Sequence, residues 1–417
     1  MKKVTFAILG LGNRGSKYAE KQLRFPDDMQ VVAIADPRRV RLDAVQKFLH
    51  LPEERVFASG EEMLKQPKMA DIMIIATQDA QHRDHAIAAL EKGYDLLLEK
   101  PIAANLQDCK DILEAAHRYN RRIIVCHVLR YTVFYRKIKE LIANGTLGKI
   151  ESISAEEQVG YYHIAHSYVR GNWHRQSDSS PMILAKCCHD MDLFLWLTGQ
   201  KCVKVSSFGS LDHFKASNCP EGATERCTDG CPHAETCPYN APRFYLERMP
   251  GWPTNILHPE PTEENIMEIL RTGNYGRCVY KMDNDVVDHQ VVNLLLEDGC
   301  TVNFSMCGFT KKQDRHIHVM GTKGDLLGDM RSNILYLRLF GEKEQVIDLN
   351  PLAVDTSGHG GGDTGLISDV IRLYRGDDFD TSSITVIDRS VESHFVAFAA
   401  EESRVTGRII DMGEFLK

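Results

Sequence analysis

Residues 3–9, KVTFAIL, form a run of apolar and β-branched positions that stops at Gly10, and the SKYAEKQLRF that follows spaces its apolar residues at helical intervals. A strand, a glycine turn and a helix are predicted in that order. QVVAIAD is a second apolar run ending at Asp36, with a helical pattern from about Pro37 to Leu49 behind it. ADIMIIAT, YDLLLEKP and RRIIVCHVLR repeat the strand signal, and QHRDHAIAALEKG and LQDCKDILEAAHRYN supply helices between them. Strands apolar on both faces and alternating with helices predict a doubly wound parallel sheet, an α/β Rossmann domain, over residues 1–129.

Near residue 130 the period changes. KIESISAEEQVG, VVNLLLEDGCTVNFSM and DRHIHVMG alternate apolar with polar positions, so residues 130–417 are predicted to be an α+β domain on a largely antiparallel sheet with helices on one face. Residues 212–275 lose that rhythm to proline and glycine and are read as a long insertion acting as a lid. DRSVESHFVAFAAEESRVTG predicts a final helix closed by Gly407.

Composition narrows the partners. The 417 residues suit two domains with a cleft between them, 43% of them apolar and 26% charged, as in a globular protein. No run approaches the roughly 18 apolar residues of a membrane span. A net charge of −8 without a basic block argues against nucleic acid and anionic membranes, leaving a small molecule as the expected ligand. MKKVTFAILGLGNRG has two lysines before an apolar run but no small-residue cleavage site, so it is read as a buried first strand and a cytoplasmic location is expected. Twelve cysteines are too few for a disulfide scaffold, and most are expected to be reduced.

The glycine turn reads Gly10-Leu11-Gly12-Asn13-Arg14-Gly15 between strand and helix, and Asp36 ends the next strand 21 residues past Gly15. That context makes it a dinucleotide site: Gly10 for the tight turn, Gly12 for approach of the pyrophosphate, Gly15 for helix packing, and Asp36 as acceptor for the ribose hydroxyls. Arg38 and Arg39 offer charge for a 2′-phosphate, but the Asp36 carboxylate would repel one, so NAD is expected in preference to NADP.

These residues, together with ATQDAQH at 76–82 and Glu99-Lys100-Pro101 at a strand end, resemble the Gfo/Idh/MocA oxidoreductases, named for glucose-fructose oxidoreductase and inositol dehydrogenase, over essentially the whole chain. The resemblance implies an NAD site that includes Asn13, Arg14, Thr77, His82, Glu99 and Lys100. It further implies a Lys100 amine beside the nicotinamide and substrate, a cis bond between Lys100 and Pro101, and a dimer or tetramer. The family's second-domain helix carries an aspartate and, four positions on, a histidine; here the histidine is His189 and the aspartate position is Ala185.

His189 lies in LAKCCHDMD, residues 184–192. Read as one helix, the run places Lys186, His189 and Asp192 three residues apart on one face. Oxidation of a secondary alcohol needs a base near neutrality and cations for the developing alkoxide, so His189 is the expected base and Lys100 and Lys186 the expected cations, one lowering the pKa of the other by repulsion. Cys187 and Cys188 diverge around the helix and are read as packing residues. Tyr131, and His163, His166, Arg170, Trp173, His174 and Arg175 in YYHIAHSYVRGNWHR, are candidates for lining a carbohydrate cleft, with Asp192 added from the helix. Trp173 reads equally as core packing.

Cys219, Cys227, Cys231 and Cys237 fall within the insertion and offer a four-thiolate site for zinc or an iron–sulfur cluster, with ordinary thiols or a disulfide as the alternative. The expected activity is NAD-dependent oxidation of a ring hydroxyl of a sugar or glycoside, at C3 for preference, or reduction of the corresponding ketone. Two alternatives stand beside it: a redox-neutral glycoside hydrolase that oxidises transiently and eliminates, and a non-catalytic NAD-binding regulator.

Overall fold

The computed structural model describes residues 3–355 and 357–417. Strands β1 (Val4–Leu9), β2 (Met29–Ala35), β3 (Val56–Phe57), β4 (Ile72–Ile75), β5 (Asp95–Leu98) and β6 (Ile123–Val125) form one sheet in the order β3-β2-β1-β4-β5-β6. Every pairing in it is parallel. β4 is buried along its length because helices cover both faces. The strand order reverses between β1 and β4, and the carboxyl ends of β1, β4 and β5 bring Gly10, Ala76 and Thr77, and Glu99 and Lys100 to one edge of the sheet. Ligands of open α/β sheets bind at such a reversal.

Strands β7 (Ile150–Gln158), β8 (Cys202–Ser210), β9 (His289–Leu296), β10 (Thr301–Cys307), β11 (Asp314–Gly321), β12 (Gly324–Asp329), β13 (Ile334–Leu339), β14 (Gln345–Asp348) and β15 (Ile410–Asp411) form the second sheet, ordered β14-β13-β12-β11-β7-β10-β9-β8-β15. Only β7 and β10 run parallel; the other pairs are antiparallel. VVNLLLEDGCTVNFSM is a hairpin of β9 and β10, turned at Gly299 with φ 91°. Inward Val292, Leu294 and Phe304 pack on helices Val133–Ala143, Cys188–Thr198 and Ile387–Thr406, while Phe208, Val291 and Leu295 are exposed on the open face. The last of these helices stops at Gly407 in the left-handed conformation, as the sequence predicts.

Two late segments return to the first sheet. Leu366, Ile367, Val370 and Ile371 of helix Gly362–Arg375 share a core with Phe6, Ile8 and Ile124, and Ile387 and Val391 share one with Leu96 and Ile112. The insertion has a small core of its own in Ala241, Phe244, Tyr245, Ile266 and Leu270, supplied by helices Ala241–Leu246 and Glu263–Thr272. It also reaches the Rossmann domain, where Arg41 Nη2 donates to the Ile256 carbonyl at 3.4 Å. Among the described residues no helix is long and apolar enough to cross a membrane.

Candidate active site

The glycine turn has the geometry of a phosphate cradle. Gly10 has φ 86°, and a Cβ there would stand 2.5 Å from the Ala76 carbonyl oxygen; at Gly15 a Cβ would stand 1.8 Å from the Gly10 oxygen. At Gly12 a Cβ would meet only Arg41 Nη1, at 3.4 Å, so space is left above the turn. Helix Asn13–Arg24 begins without a side-chain cap, leaving its first N–H groups for an anion. Buried Asp36 accepts from the Leu11 and Arg38 backbone N–H groups at 2.7 and 2.9 Å. Arg39 is taken by Asp43 and Glu53, so the cations flanking Asp36 are Arg38 and Arg41, at 4.0 and 3.8 Å.

Around this turn several predicted ligands have their side chains engaged elsewhere. Arg14 turns its side chain inward to Glu99 (2.7 Å), Tyr18 (2.7 Å) and Asp363 (2.5 Å), tying the turn to helix Gly362–Arg375. Burial works against the Glu99 charge, but Arg14 and Lys100 outweigh it and hold the carboxyl below its usual range. His82 lies between the Pro101 and Thr77 carbonyls at 2.8 and 3.3 Å, and Thr77 Oγ1 meets His85 Nδ1 at 3.1 Å. His82 and Thr77 therefore brace the loop that follows β4. Asn13 is exposed at the helix start.

The Lys100-Pro101 bond is cis. The loop is pinned by His394, whose Nε2 accepts from the Ile102 N–H at 2.9 Å while Nδ1 faces the Ser390 carbonyl at 3.1 Å. Lys100 Nζ donates to the Ala185 carbonyl at 3.0 Å, so with alanine at 185 the lysine is held by backbone rather than by a side-chain acid. LAKCCHDMD is not one helix. A turn ends at Ala185, and a new helix starts at Cys188, so Lys186 and His189 belong to different segments. Lys186 pairs instead with Glu157 at 3.1 Å, within a buried network in which Arg315 meets Glu157 at 2.6 Å and Asp190 at 2.8 Å. Burial lowers the Lys186 pKa, Arg315 adds to the lowering and Glu157 opposes it; the expected agent was Lys100.

His189 is 4% exposed, and neither ring nitrogen has a hydrogen-bond partner among the described residues. Burial first, then the charges of Lys100, His127 and His359, push its pKa well below 6.5. The rings of His127 and His359 lie 5.7 and 5.8 Å from the His189 ring. His359 was missed in the sequence, although a histidine four residues before Asp363 in the glycine-rich SGHGGGD run was a visible signal; its Nδ1 lies 3.4 Å from the Asp363 carboxylate.

The YYHIAHSYVR segment is a helical turn, Tyr161–Ile164, continued by a π turn, Ala165–Val169, a form common at functional sites. Four predicted substrate contacts are spent inside the protein. Asp192 clamps Arg130 at 2.7 and 2.5 Å, Tyr131 Oη meets Thr385 at 3.2 Å, His166 Nδ1 meets Tyr245 Oη at 2.8 Å, and Arg170 donates to the Arg277 and Tyr239 carbonyls, both at 2.8 Å. All four are buried and hold these internal partners. His163 remains half-buried against Trp252 at 5.0 Å, and the charges of Lys186 and Lys100 act on it. Trp173 donates to Asp79 of the Rossmann loop at 3.1 Å, His174 meets the Gly171 carbonyl at 2.7 Å, and Arg175 lies near Asp283 at 3.7 Å.

Cys187 and Cys188 are fully buried, and burial pushes the Cys188 thiol up to about 12, so both are packing residues. In the insertion, Cys227, Cys231 and Cys237 line one pocket together with Cys278. Cys219, the fourth cysteine expected there, is absent from that lining, and its thiol faces the Pro220 carbonyl at 3.8 Å.

Comparison with known proteins matches two family models, an oxidoreductase family NAD-binding Rossmann fold over residues 4–127 and the same family's C-terminal alpha/beta domain over residues 139–353. The chain is 28% identical over 396 residues to the putative oxidoreductase YteT of Bacillus subtilis, covering 89% of this chain and 88% of that one. It is 25% identical over 206 residues to a myo-inositol 2-dehydrogenase of Thermotoga maritima, covering 49% of this chain and 58% of that one. The WlbA dehydrogenase of Bordetella pertussis, solved with NADH and UDP-GlcNAcA, shares the fold, with a TM-score of 0.69 and 18% identity over 98% of this chain and 99% of that one.

Proposed function

The chain belongs to the Gfo/Idh/MocA oxidoreductase family, and from that premise we propose that it oxidises a ring hydroxyl of a sugar or glycoside, C3 for preference, or reduces the matching ketone. The observation that carries the reading is the corner where Lys100 docks on the Ala185 carbonyl beside the buried His189 ring, which has no hydrogen-bond partner among the described residues. Gly12, the first N–H groups of helix Asn13–Arg24 and Asp36 would hold NAD, and bound NAD supplies the hydride acceptor. His189 takes the hydroxyl proton on a ring nitrogen. Lys100 keeps N–H groups beyond the one on Ala185 to stabilise the alkoxide oxygen. His163 and Trp252, the latter from the insertion, are the residues assigned to sugar contact, and the exposed sheet face bearing Phe208 and Val291 is assigned to a dimer or tetramer.

Screening sugars and glycosides with NAD tests the reading. Net NADH with a keto product is expected. Aglycone release without net NADH would replace it with the redox-neutral hydrolase, and inertness toward the whole panel would return the regulator.

The depressed His189 pKa fixes a pH profile. A histidine with a lowered pKa is neutral above that value, so kcat/KM stays flat as pH falls through 6.5 and drops only at lower pH. An acid limb centred at or above 6.5 would show a base in another environment.

Cofactor choice gives a second check. Asp36→Asn keeps the shape but removes the charge, so NAD affinity falls about tenfold and the preference over NADP narrows. Titration of both cofactors into wild type and variant measures this, and tighter NADP binding by wild type would overturn the assignment.

A further inference from the structure

The insertion carries a site that the oxidoreductase reading does not use. Cys227, Cys231, Cys237 and Cys278 line one pocket, and all four are free thiols. The last lies 41 positions beyond Cys237, outside the proline- and glycine-rich run that drew attention to the other three.

Arg170 lines the same pocket at 2% exposure. Two carbonyls take part of its guanidinium, Nη2 also reaches Cys227 Sγ at 3.5 Å, and no carboxylate pairs with it among the described residues. A guanidinium buried without a counter-anion is costly, so the pocket calls for a negatively charged occupant. Four thiolates around a metal centre provide one.

The spacing selects the kind of centre. Among the described residues, the one group of three or more His, Cys, Asp or Glu ligand atoms lying within 4.8 Å of one another is Asp314, His316 and Asp329, so no three of these sulfurs are that close. A single tetrahedral zinc, with Zn–S of about 2.3 Å, would gather all four sulfurs to about 3.8 Å. An iron–sulfur cluster spreads its cysteines over separate irons, with inorganic sulfide filling the space between them.

We propose that Cys227, Cys231, Cys237 and Cys278, and not Cys219, ligate an iron–sulfur cluster for which Arg170 is the buried counter-charge. The cluster staples the insertion. Through Arg170 it also fixes the π turn behind His163, on the substrate side of the cleft.

The test is iron, acid-labile sulfide and zinc per chain in full-length protein purified without oxygen, with visible absorbance before and after dithionite. Equal iron and sulfide, two or four of each per chain, and a thiolate-to-iron band that bleaches are expected. Cys219→Ser keeps the wild-type iron content and Cys278→Ser loses at least nine-tenths of it. One zinc per chain without sulfide, wild-type protein free of both metals, or loss of iron in Cys219→Ser as complete as in Cys278→Ser would each overturn the proposal. The wild-type and Cys219→Ser measurements decide it even where Cys278→Ser fails to fold.

Discussion

Replacing His189 with glutamine is expected to lower kcat/KM for the glycoside by about 10²- to 10⁴-fold, the contribution of a positioned general base, and to leave NAD affinity nearly unchanged. Both expectations follow from location. The ring sits on the second-domain helix Cys188–Thr198 and neither of its nitrogens is hydrogen-bonded to the glycine turn or Asp36, so the nucleotide contacts survive. Glutamine approximates the volume of the imidazole in a site that is 4% exposed, which limits collapse, but it cannot accept the hydroxyl proton. Lys100→Met removes the cation and is expected to cost about 10²- to 10³-fold, mostly in kcat, because the charge it stabilises develops only in the transition state. Initial rates of NADH formation, together with cofactor titration, measure both. Turnover of His189→Gln at the wild-type rate would remove the histidine from the mechanism, and parallel loss of cofactor binding would assign it to folding.

Arg315→Met is the substitution with the largest expected effect on stability. Arg315 is 5% exposed and lies against Glu157 at 2.6 Å and Asp190 at 2.8 Å; burial opposes its charge, and the two carboxylates outweigh burial and keep it protonated. Without it Lys186 faces Glu157 alone and Asp190 loses its cation. Breaking a buried pair by removing one partner costs about 3–5 kcal/mol. For a domain of this size that is a fall in Tm of about 10 °C. Calorimetry would register the loss in the transition of the second domain, and an unchanged transition would mean that solvent or neutralised carboxyls already relieve the network.

All of the first sheet except the two-residue β3 was legible because its signals are local. KVTFAIL followed by GLGNRG is a strand, a turn and a helix within a few neighbouring residues, and Asp36, at the end of the next strand, is placed by the sheet register alone. DRHIHVMG could be read to its end residues, since alternation over eight positions leaves a strand little choice. The side-chain partners were less legible because they are distant in the chain. Asp192 is claimed by Arg130 across 62 positions and Arg14 by Asp363 across 349, and neither pairing leaves a mark on spacing. Periodicity also failed at LAKCCHDMD, where the helical pattern is intact but the chain breaks after Ala185, with the Lys186 amine reaching Glu157 on β7 and the Ala185 carbonyl reaching Lys100. Cys278 escaped for the same reason as Arg14, since folding brings it to a cluster that the chain keeps apart.

The central claim is that a ring carbon bearing a hydroxyl loses its hydrogen to the cofactor while His189 takes the hydroxyl proton, with Lys100 alongside. A single-turnover reaction with the best glycoside from the screen, deuterated at C3, and excess enzyme charged with NAD tests it most directly. The predicted result is deuterium recovered in the reduced nicotinamide for wild type and no transfer on that timescale for His189→Gln. Label retained in the sugar while NADH still forms would contradict the carbon, and equal transfer by the two proteins would contradict the base.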